Sequence, residues 1–137
     1  MNYILWSVVA LLSYALVAPL VSLATNEIPS EVVLVTTNGM LVVAGVLVIL
    51  VSDTAPTTYL ADDAAPYMYA AGAFLAIAIL AYYRALEAGP VSVVTPIFGT
   101  FLVLSSVVGI VALGESLSVR KGLGIVLAGV AIWLVST

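Results

Sequence analysis

What most constrains this chain is the placement of its charged side chains, which leaves five long stretches with none. Residues 1–26, 32–52, 64–83, 88–114 and 122–137 contain no Asp, Glu, Lys or Arg. A helix that crosses a bilayer needs roughly 17–25 predominantly apolar residues, and the first four stretches reach that length directly. The fifth is shorter, but Arg120 and Lys121 can extend their charged ends to the headgroups and let a helix begin near Ser118. A charge at the centre of a membrane helix costs about 2.5–3.5 kcal/mol, and placing every charge at a boundary avoids that cost. With 64% hydrophobic and 7% charged residues, against about 25% charged in ordinary soluble domains, no water-soluble fold is available. The sequence therefore predicts an all-α, polytopic membrane bundle: one domain, 1–137, of five transmembrane helices near 3–24, 32–51, 66–86, 90–113 and 119–136. The first apolar run lacks a basic leader and is too long for a cleaved signal, so it reads as a retained span.

The breaks between spans carry suitable punctuation. Pro29-Ser30-Glu31 suggests a stop, a serine N-cap and an acidic residue at the positive end of the second helix. Residues 52–66 form the longest loop, with Asp53, Asp62 and Asp63. Gly89 followed by Pro90 fits the end of one helix and the start of the next. Gly114-Glu115-Ser116-Leu117-Ser118 reads as a tight hairpin in which Ser118 caps the last helix. Glu115 is expected either to cap that helix as well or to pair with Arg120 or Lys121, and Glu27, Glu31 and Glu87 to be solvated or capping. Connections this short make successive helices antiparallel neighbours. Arg84 falls on one membrane face and Arg120 with Lys121 on the other, so the orientation bias is slight.

The chain has no cysteine and no histidine, which removes disulfides, thiolate chemistry and the usual zinc sites. No ionisable group lies in mid-span, where it would mark a functional site, and there is no nucleophile–base pair. No enzymatic activity, metal, cofactor or nucleic-acid partner is expected. What remains is neutral polarity: Ser13, Tyr14, Thr36, Thr37, Asn38, Tyr82, Tyr83, Ser92, Thr95 and Thr100. Pro19 and Pro96 each remove one helical hydrogen bond, at the carbonyls of Ala15 and Ser92. Taken singly, these residues read as interhelical hydrogen bonding by Asn38, interfacial anchoring by Tyr82 and Tyr83, and kinks at the prolines. Taken together, Tyr14, Asn38, Tyr82, Thr95 and Pro96 are candidates to line a polar cavity. Small residues at helix-packing spacing (Gly72 with Ala76, Ser105 with Gly109, Gly124 with Ala128) mark close helix contacts.

From Tyr82 to Ser136 the chain reads YYRALEAGPVSVVTPIFGTFLVLSSVVGIVALGESLSVRKGLGIVLAGVAIWLVS. It resembles the carboxyl-terminal part of the EamA-type repeat of the drug/metabolite transporter superfamily. The resemblance rests on Tyr82, Ala85 and Leu86, on Pro96, on Leu113-Gly114-Glu115, and on Gly122, Gly124 and Gly129. Pro19, Gly114, Glu115 and Gly124 are then structural-motif residues. Where the family often has a basic residue in the second span, this chain has Thr37 and Asn38. The resemblance implies a half-size carrier in a prokaryotic plasma membrane, an exporter of small metabolites with a small-molecule substrate and a lipid environment. An odd number of spans makes fused copies insert in opposite senses, so a lone unit is expected to pair with an inverted copy of itself. The alternative is a non-transporting membrane subunit that scaffolds a partner or handles lipid.

Overall fold

The structure is a computed structural model that describes residues 2–52 and 54–136; Asp53, one of the acidic loop residues, lies outside them. Every regular element among the described residues is helical: α1 Tyr3–Ala15, α2 Val17–Thr25, α3 Ser30–Val51, a short 3-10 turn Pro56–Tyr59, α4 Ala65–Ala88, α5 Val91–Gly99, α6 Phe101–Ala112 and α7 Val119–Ser136. Helix is the physical default here, because in hydrocarbon each segment must satisfy its backbone donors and acceptors internally. Among the described residues, four segments are long and apolar enough to cross a membrane: Tyr3–Thr25, Ser30–Val51, Ala65–Ala88 and Val91–Ala112. The expected fifth span is α7, 18 residues long, with Arg120 and Lys121 in its first turn.

Two of the expected spans are interrupted. The first breaks at Leu16, immediately after Ala15, the residue whose helical carbonyl Pro19 cannot engage. The fourth breaks at Thr100 and not at Ser92, the carbonyl that Pro96 deprives of a partner. Pro96 sits inside α5 without ending it. At Thr100 both the backbone N–H (3.2 Å) and Oγ1 (2.7 Å) donate to the carbonyl of Ile97. A threonine hydroxyl that competes for backbone acceptors is a known cause of helix distortion.

The ends are secured as local chemistry dictates, with one exception. Asn2 caps α1, its Oδ1 accepting the Ile4 N–H at 3.1 Å. Ser118 caps α7, its Oγ accepting the Lys121 N–H at 3.2 Å. Gly114 adopts φ +69°, a left-handed conformation that glycine enters without steric cost, and the following Glu115 N–H returns to the Gly109 carbonyl at 3.2 Å. Ser30, by contrast, is not the N-cap the sequence suggests. Pro29 holds that position without a side-chain cap bond, and Ser30 is already the first residue of α3.

The chain divides into two units, Leu20–Glu87 and Met1–Pro19 with Ala88–Thr137. Most of the buried side chains belong to the first: Val21, Ser30, Val33, Ala65, Tyr82, Tyr83 and Leu86. Most other large apolar side chains are exposed, Val51 at 89% and Val111 at 79%. Leaving so much apolar area in water would forfeit about 25 cal/mol per Å²; against lipid tails it costs nothing comparable.

Candidate functional site

The unit Leu20–Glu87 is held by a polar seam between α3 and α4. At its end Ser30, 1% exposed, donates Oγ–H to Glu87 Oε2 at 2.7 Å, while Glu31 Oε2 stands 3.5 Å from the same hydroxyl. A hydroxyl has one proton to give, and the short contact takes it. Hydrogen bonds to ionised acceptors contribute about 1.5–3 kcal/mol, so Ser30 serves tertiary structure and not a cap. Glu31 pairs with Arg84. Seven residues further along α3, Thr37 Oγ1 meets Tyr83 Oη at 2.9 Å. These contacts run in opposite sense along the two helices, which makes α3 and α4 the expected antiparallel pair. The expectation of a solvated or capping Glu87 is corrected here: its carboxylate is engaged by a buried side chain of another helix.

Further along α3, Asn38 borders an open groove of about 410 Å³ whose other walls are Leu34, Gly72, Leu75, Ala76, Ile79 and Leu80. Its Nδ2 donates to the Leu34 carbonyl in its own helix at 2.9 Å, so the amide donor is not the interhelical bond suggested by the sequence. Gly72 and Ala76, read as a helix-packing pair, line this space within the single chain, and a methyl group on Gly72 would meet nothing within 4 Å. Tyr82 and Tyr83 are each 4% exposed, with rings edge-to-face at 6.5 Å. Interfacial anchors stand at the protein surface, so that reading of the two tyrosines is overturned.

The other candidates lie in the unit formed by residues 1–19 and 88–137. Tyr14 is on the last turn of α1 and about half exposed. Thr95 and Pro96 are half-buried on α5. Pro19 is the third residue of α2. Glu115 neither caps α7 nor forms an ion pair: Ser118 has the cap, and Arg84–Glu31 is the single ion pair among the described residues. Its carboxylate instead covers buried Gly109, Oε1 standing 3.3 Å from where a methyl group on that glycine would lie. Gly124 faces open space.

Sequence reasoning missed Ser30, Glu31, Arg84 and Glu87 as a group. A signal was present: hairpin geometry puts the start of the second span beside the end of the third, and those two segments carry charges of opposite sign.

Helices whose surfaces are apolar on every side, with polar groups gathered into seams and cavities, define the chain as an integral membrane helical bundle. Its family is a transporter family. The model of the EamA-like transporter family matches residues 1–137, and the chain belongs to it. The match includes the first 80 residues, where the sequence alone resembles the family only in the number and length of spans. No curated protein and no solved structure gave a match.

Proposed function

We propose that the chain works as one five-helix domain of a secondary transporter, exporting small polar or amphipathic metabolites across a prokaryotic plasma membrane. The observation that carries this reading is family membership over residues 1–137. The groove beside Asn38, one amide among apolar walls, suits a solute with a polar end and an aliphatic body. Of the residues proposed to contact solute, Asn38 borders this space and Tyr82 lies in the same unit, while Tyr14, Thr95 and Pro96 lie in the other. An odd number of spans and a nearly even distribution of basic residues favour an antiparallel homodimer, in which two inverted copies provide equivalent inward-open and outward-open states.

The test is reconstitution of the single purified chain into liposomes loaded with amphipathic metabolites. Solute should leave down its gradient, and Gly72→Leu, which fills the Asn38 groove, should slow efflux at least about tenfold. Absence of flux for every solute, with folded protein in the bilayer, would favour the non-transporting reading. Single cysteines placed at Asn26 and at Ser116 should each be labelled from both sides of the membrane. One-sided labelling in a flux-competent preparation would rule out the inverted pair.

A further inference from the structure

We infer that the groove between α6 and α7 is a binding site for a phospholipid with an ethanolamine headgroup, a site independent of the transport reading. Within its unit α7 packs closely on α5 and more sparsely on α6. The space left between α6 and α7 is a groove of about 450 Å³ whose walls include Ile110, Gly124, Ala128 and Ile132. Glu115 and Lys121 stand at one end. The one hydroxyl in the wall, Ser106 Oγ, donates to the Leu102 carbonyl of its own helix at 2.9 Å, so the interior presents no free donor.

Depth identifies the apolar part of the occupant. From Lys121 to Ile132 the groove follows α7 for about 16 Å, at 1.5 Å per residue. The hydrocarbon core is about 30 Å thick, so the groove is as deep as one leaflet. An acyl chain entering beside its headgroup fills that depth, whereas a short soluble metabolite leaves most of it empty.

Charge identifies the head. Lys121 Nζ donates to the Ser116 carbonyl at 3.1 Å, a single hydrogen bond from an ammonium group that has three to give. The Glu115 carboxylate is held over Gly109 and is not ion-paired. A carboxylate and an ammonium at one mouth, each with capacity to spare, match a head that carries both a phosphate and an N–H-donating cation. The phosphate belongs at Lys121 and the primary ammonium at Glu115. A choline head has no N–H to donate, and an anionic glycerol head leaves Glu115 facing like charge.

Native mass spectrometry of the detergent-purified full chain, incubated with an equimolar mixture of dioleoyl ethanolamine, choline and glycerol phospholipids, tests the assignment. The wild type should retain the ethanolamine lipid about fivefold over the choline lipid, the scale of one charge-assisted contact at a partly solvated site. Glu115→Gln should bring that ratio near one while total bound lipid is unchanged. Ala128→Phe, which fills the groove, should lose the adduct; if it fails to fold, Gly124→Ile serves the same purpose. Equal retention of the three lipids by the wild type, or an undiminished preference in Glu115→Gln, would overturn the assignment. So would displacement of the lipid by millimolar leucine, which would make the groove a site for soluble zwitterions.

Discussion

Two helical hairpins in this chain carry an acid and a base near their ends, and they use them in opposite ways. Between α3 and α4, Glu31 is taken by Arg84 and Glu87 by Ser30, so the charges are spent on holding the helices together. Between α6 and α7, Glu115 and Lys121 are not ion-paired to each other and flank an open groove. Both hairpins offer a glutamate and a basic residue (Arg84 in one, Lys121 in the other) at a similar distance in sequence from a helix end. What differs is whether a buried polar partner waits on the facing helix. A boundary charge in a membrane protein is therefore not a solvated charge by default; its role is set by the neighbouring span.

The contrast predicts a graded series of stability losses, each measurable by thermal unfolding in detergent. Ser30→Val should be the most damaging, about 3 kcal/mol, because it removes the donor to Glu87 and adds volume at a site with no room. Glu87→Gln keeps a hydrogen-bond acceptor but loses its charge and should cost about 1.5 kcal/mol. Arg84→Gln breaks a pair whose side chains are 59% and 51% exposed, and should cost at most about 1 kcal/mol. A double-mutant cycle with Glu31→Gln should show that the loss is shared by the two residues. Glu115→Gln should be smallest, within about 0.3 kcal/mol, because no ion pair is broken. If Glu115→Gln proves as costly as Glu87→Gln, the two hairpins do not differ in the way described.

The helical architecture was legible because bilayer energetics act on single residues: one charge in mid-span is expensive, so the charge pattern alone marks the spans. The span ends agree with the helices to within a few residues. Misreadings arose where a local rule met a distant partner. Ser30 before an acidic residue looks like a cap, but its partner is Glu87, 57 residues away. Tyr82 and Tyr83 have the positions of interfacial anchors and the burial of core residues. The role of Glu115 was illegible for a related reason: whether it covers Gly109 or reaches Lys121 depends on how the hairpin folds back. At the candidate site, Gly72 and Ala76 read in the sequence only as packing surface, because composition does not say whether a small residue is filled in by its neighbour.

The interruption at Thr100 has a mechanical consequence. It divides the Val91–Ala112 segment into helices of 9 and 12 residues, with Thr100 between them keeping helical dihedrals of φ −60° and ψ −21°. A helix of that length is a lever. A swing of about 10° at Thr100 displaces the far end of α6, about 18 Å away, by about 3 Å, the width of a water molecule, while α5 stays still. A bend at that point therefore moves one end of the span and leaves the other in place.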